Sequence, residues 1–222
     1  MRRCLWTTVW GLLILPGQVL DAQVTDHGTL SIRQAGQEIG HEEYRTTAAR
    51  GGRAAGDSLT AFARYPESRP TVSIRAALER SPGSPIFSCA IEVRSPQGTS
   101  QVLAAGTRNR VILRTVGAGS ETARELPGGD QVVVLDDSLF SLYTTVAQLA
   151  TESGRQLTGL FPRSARRVSF TARRQTRPAA GGAESVVELS GGITATLVLD
   201  AGGRLERMEF PSLRLEVVRL RD

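Results

Sequence analysis

The 222 residues carry 27 basic against 22 acidic side chains, and every basic one is arginine, for a net charge of +5. That excess is spread along the chain, and at 5% aromatic residues there are too few rings for base stacking, which argues against a nucleic-acid partner. The absence of lysine reads as a genome bias rather than a binding signature.

The chain opens with the layout of a secretory signal. Arg2 and Arg3 precede an apolar stretch over residues 4–15, Pro16-Gly17 breaks it, and Ala22 is small enough for a cleavage site. The apolar run is well short of the ~20 residues a membrane span needs. The expectation is a signal peptide over residues 1–22 and a single β-rich domain over 23–222. That domain would have no transmembrane segment and would be exported, periplasmic or extracellular. A retained N-terminal anchor is the alternative.

From Gly28 onward a two-residue alternation of apolar and polar side chains marks half-buried strands. Leu30 and Ile32 lead into Ala35-Gly36-Gln37, and residues 39–47 return. Residues 59–65 form another strand, closed by Pro66 and Pro70. Val72, Ile74, Ala76 and Leu78 share one face, and so do Phe87, Cys89, Ile91 and Val93 after a Pro/Gly-rich turn. Cys89 on that face reads as a small buried hydrophobe, since one thiol left after signal removal forms no internal disulfide. Strands at 101–105 and 110–116 follow. Near the C-terminus the pattern resumes over 167–173, 186–189, 193–199, 205–210 and 213–220, with Gly191-Gly192 and Asp200-Ala201-Gly202-Gly203 as hairpin chemistry. The stretches 51–56 and 179–182 read as long hairpin loops, and no internal repeat is evident.

One segment departs from this rhythm. Residues 132–135 are continuously apolar, as in a strand buried on both faces. Leu139, Leu142, Tyr143, Val146 and Leu149 then recur at helical spacing, predicting an amphipathic helix of three to four turns. Asp137 or Ser138 would cap its start and Gly154 would end it. The fold class expected is mainly β, an antiparallel meander forming a curved sheet or half-barrel, with this one helix on its concave face. A membrane barrel is argued against by the missing aromatic girdles.

Chemistry is sparse. His27 and His41 have neither a Gly-x-Ser-x-Gly elbow nor metal-ligand spacing beside them, so no metal, cofactor or catalytic residue is expected. The Asp136-Asp137 pair is the most site-like acid cluster, with helix capping as its plainer reading. Arg163, Arg166, Arg167, Arg173, Arg174 and Arg177 run together with no intervening acid. They are either contacts for anionic groups such as lipid headgroups or a solvated face.

The opening Gly28-Thr29-Leu30-Ser31-Ile32 with Gly36 and Gly40, the helix from Ser138 and the closing hairpin through 200–205 resemble the exported half-barrel lipid carriers of the LolA and LppX type. The resemblance covers most of the chain after the signal and carries over no functional residue. It implies a sheet curled around an apolar cavity with a helical lid. On that reading the protein is a non-catalytic envelope protein that binds a lipid or other amphiphile, and the helix stripe of Leu139, Leu142, Tyr143, Val146 and Leu149 is the lid. The alternative is a structural or interaction domain with a filled core and an envelope protein partner.

Overall fold

The computed structural model describes residues 22–49, 56–66, 69–80, 86–117, 119–179 and 182–220. The expected signal peptide lies outside them apart from Ala22, which opens the first strand. Eight strands come first: β1 (Ala22–Gln34), β2 (Gln37–Ala49), β3 (Asp57–Tyr65), β4 (Val72–Arg80), β5 (Phe87–Ser95), β6 (Gly98–Gly106), β7 (Arg110–Gly117) and β8 (Ser120–Pro127). They pair in sequence order as an antiparallel meander. After β9 (Val132–Val134), a 3-10 turn (Phe140–Leu142) runs into α1 (Tyr143–Leu149). A second meander then runs through β10 (Arg155–Phe161), β11 (Arg166–Ala179), β12 (Gly182–Gly191), β13 (Ala195–Leu199), β14 (Leu205–Phe210) and β15 (Leu215–Leu220). β15 pairs with β1, so all the strands make one curved, unclosed sheet with β8 and β9 at its edges.

The alternation expected from the sequence is what places the core. Leu59 of β3 stands opposite Leu78, Leu78 opposite Cys89, Cys89 opposite Ala104 and Ala104 opposite Leu113, a buried row across five strands. A second row runs Ala61, Ala76, Ile91 and Val102. Side chains of period two alternate between faces, so one register buries a whole row together. Where the two meanders join, Arg219 of β15 reaches Asp26 at 2.9 Å and the Tyr44 hydroxyl at 3.0 Å, which in turn donates to Asp26 at 2.8 Å.

The helix packs on the concave face. Leu139, Leu142 and Val146 are fully buried and belong to one core cluster with both halves of the sheet. A helix this short is marginal in water, so the burial of that stripe is what maintains it.

Three expectations are corrected. The helix is shorter than three to four α-turns, and its first turn is 3-10. Gly154 lies in a later turn, and the helix ends at Ala150, whose N–H bonds Val146 O. The antiparallel order expected holds across the sheet except at its edge, where β9 pairs with β10 in parallel with α1 in the crossover between them. Finally, β11 and β12 stay paired up to Ala179 and Gly182, the two ends of the stretch expected as a long loop.

Candidate functional site

A pocket of about 270 Å³ opens beside the first turn of the helix. Two strand corners of the same construction form its sides. β10 ends at Phe161, Pro162 starts a 3-10 turn, and Ala165 at φ 49° turns the chain into β11. β14 ends at Phe210, Pro211 starts a 3-10 turn, and Arg214 at φ 48° turns the chain into β15. Proline suits the first position of such a turn because its φ is already set and its missing N–H has no partner to lose. Each corner therefore delivers the phenylalanine before its proline to the pocket wall.

Phe140 and Tyr143 complete the aromatic lining. Their rings lie 5.8 Å and 5.4 Å from Phe210, the second pair edge to face. Ile193, Leu213 and Leu215 supply the aliphatic part, and Leu213 is 57% exposed at the rim. Arg166 and Asp137 also line the pocket and pair with each other at 2.8 Å. The Arg166 guanidinium lies 4.0 Å over the Phe161 ring. Two larger depressions, about 610 and 460 Å³, are more open to solvent. The first mixes His27, Glu43, Arg45 and Arg75 with Tyr44, Ala61, Phe62 and Ala76, and the second is lined mainly by charged side chains of β14, β15 and the preceding turn.

Among the five stripe residues, Leu139, Leu142 and Val146 are sealed in the core, Leu149 is half-buried and Tyr143 reaches the pocket. The expected lid over a cavity is therefore packed against the sheet along most of its length. Tyr143 is 3% exposed, and its hydroxyl makes no hydrogen bond among the described residues. Burial raises its pKa first, and the nearby Asp137 carboxylate adds to that.

The arginine run does not form one anion-gripping stripe. Arg163 forks onto Asp136 with two bonds of 2.6 Å, and Arg166 holds Asp137. Arg177 pairs with Glu188. Arg173 donates to the Glu152 carbonyl, and Arg174 donates to Ala147 O at the end of the helix. Arg167 stands exposed on the outer face. The sequence lacks acids between these residues, but the fold brings them in from elsewhere, and Arg166 alone of the six lines the aromatic pocket.

Neither Asp137 nor Ser138 caps the helix start, because the cap is Glu42 on β2. This fully buried carboxylate accepts the N–H of Phe140 at 2.6 Å, the N–H of Ser141 at 3.1 Å and the Ser141 hydroxyl. Burial raises its pKa to about 7, although the bonds it accepts pull the other way. Asp136 instead accepts the Ser138 N–H and neutralises Arg163. Glu42 was hidden in the sequence because an acid at an inward strand position contributes nothing to an apolar pattern. The legible signal for the pocket is the pair of Phe-Pro dipeptides at 161–162 and 210–211.

No family model matches this chain, and no curated protein matches it. Among solved structures it is similar to a β-barrel-like protein of the domain of unknown function DUF1849 from Brucella abortus. The two are 10% identical, with a TM-score of 0.45 over 90% of this chain and 98% of that one. It is also similar to a DUF1089 family protein from Pseudomonas aeruginosa, 13% identical, with a TM-score of 0.42 over 96% of this chain and 98% of that one.

Proposed function

We propose that this β-barrel-like chain is a non-catalytic binding domain that seats the apolar part of a small lipid-like or amphiphilic ligand in the pocket between the two Phe-Pro corners. The observation that carries the reading is the lining itself: four aromatic rings and three aliphatic side chains around about 270 Å³, with one charged pair at the rim. Concave, mostly apolar sites with a few convergent polar groups are where proteins bind small molecules. This volume falls just under the ~300–1,000 Å³ usual for drug-sized ligands, which favours one short chain or ring over a diacyl lipid. His27 and His41 do not line this pocket. Export belongs to the same proposal and is supported by the basic and apolar start of the sequence.

Native mass spectrometry of the purified protein, with displacement of a fluorescent fatty-acid probe, tests the reading. A co-purified small amphiphile or saturable probe binding is expected, and Phe210→Ala should weaken it. Absence of both in a correctly folded sample would remove the pocket from consideration. The packed helix favours a second reading, an interaction domain whose core is filled. On that reading Leu213 would be a protein contact, and Leu213→Ser would weaken capture of an envelope partner without altering probe binding.

A further inference from the structure

We infer that the ligand is a small single-chain anion, a carboxylate-headed amphiphile whose head is held by Arg166 and Tyr143 while its apolar body lies among Phe140, Phe161, Phe210 and Ile193. The inference rests on the binding reading above and adds the chemistry of the ligand. Tyr143 is the first reason. Its hydroxyl makes no hydrogen bond to protein among the described residues and is not one of the sealed polar atoms, so it opens to the pocket that this largely buried residue lines. A ligand oxygen in that pocket would supply a partner.

Arg166 is the second reason. Its side chain and that of Asp137 are 46% and 64% exposed, so their ion pair is weak and exchanges readily for a ligand carboxylate. The Phe161 ring beneath the guanidinium holds it at the pocket, where the N–H groups that Asp137 does not use can donate to a ligand carboxylate. The neighbouring Arg163 is already neutralised by Asp136 and does not compete for the head.

Four aromatic rings beside a carboxylate also fit a quaternary ammonium group. Here the Arg166 charge lies over the Phe161 face, so a cation among the rings would sit beside a like charge. Charge complementarity therefore favours the anion.

The test is calorimetric titration of the purified full chain, at neutral pH, with decanoate, decanol and decyltrimethylammonium. Decanoate should bind about tenfold tighter than decanol or better, as a charge-assisted fork predicts, and Arg166→Gln should erase that difference. Tyr143→Phe should weaken decanoate several-fold with an unchanged melting temperature. Asp137→Asn should tighten decanoate by on the order of twofold to threefold, because it frees Arg166. A purely structural role for the pair predicts no such gain. Equal binding of decanoate and decanol, unaffected by Arg166→Gln, would overturn the anion while leaving the pocket as a binding site. Tightest binding by decyltrimethylammonium would reverse the sign of the ligand and overturn it too. Binding of none of the three would remove the inference together with the reading beneath it.

Discussion

The Glu42 carboxylate on β2 accepts the backbone N–H of Phe140 at 2.6 Å, linking positions 98 residues apart. It is buried and makes no ion pair among the described residues, so the start of the helix is held to the first half of the sheet by an uncompensated acid. Glu42→Ala would leave the N–H groups of Phe140 and Ser141 buried without an acceptor. The expected loss is about 2–6 kcal/mol, since each of the two orphaned groups costs roughly 1–3 kcal/mol. Glu42→Gln keeps an acceptor in place and should cost less. Chemical denaturation of the two variants checks the order, and equal losses would show that the cap contributes little.

The same residue sets a pH dependence. Its folded pKa lies near 7 against an ordinary 4.5, with burial as the main cause. Between those values the folded protein binds the proton that the unfolded chain has released, so stability falls as pH rises. The contribution is fully present below about pH 4.5 and lost through about pH 7, a change of about 3 kcal/mol from this group. Urea titrations at either side of that window should show the decline in the wild type and a flatter profile in Glu42→Gln. A wild-type profile that rises across the window would contradict the assignment.

Cys89 faces the core at 4% exposure, and burial pushes its thiol up to about 12. A maleimide should therefore label it only after denaturation, because the thiolate is the reactive form. Cys89→Ser should cost about 1–3 kcal/mol by placing a hydroxyl in an apolar row. Rapid labelling of the native protein would place the residue elsewhere.

Much of the sheet was legible because one face of most strands is buried, and burial imposes a period of two. β8 was not, since Ser120 to Glu125 are exposed on both faces and nothing selects which residues alternate. β10 was obscured at its end, where Gly159, Leu160 and Phe161 are all buried. In β2 the inward residues are Gly40, Glu42 and Tyr44, so neither parity is cleanly apolar, and the capping role of Glu42 exists only through a contact made across the fold. The pocket gathers Phe140, Phe161 and Phe210 from three separated segments, and no local pattern brings them together. Only the repeated Phe-Pro dipeptide hints that two corners are built alike.

Gly40 is needed for space. A Cβ there would lie 2.4 Å from the Tyr65 ring and 2.7 Å from the Arg64 carbonyl. The ring has little freedom to retreat, because its hydroxyl donates to Ser138 O at 2.8 Å. Gly40→Ala should cost about 1–3 kcal/mol, as overpacking does. A thermal melt checks it, and a variant as stable as the wild type would mean that the ring moves without penalty.

Leu142 separates a helix that covers a ligand cavity from one that is part of the core. Its side chain has no exposure and sits in the cluster shared by both meanders, and it does not line the pocket although its neighbour Tyr143 does. Leu142→Ala should therefore behave as a core truncation and lose about 2–5 kcal/mol, the sum of lost transfer energy and an incompletely collapsed cavity. Affinity for a fluorescent fatty-acid probe, measured where the variant is still folded, should stay close to wild type. Phe161→Ala should do the reverse in proportion, with a larger loss of affinity than Leu142→Ala for a given loss of stability, because Phe161 both lines the pocket and carries the Arg166 stack. If Leu142→Ala is nearly neutral for stability and instead changes probe affinity, the helix is a lid after all and the ligand lies beneath it.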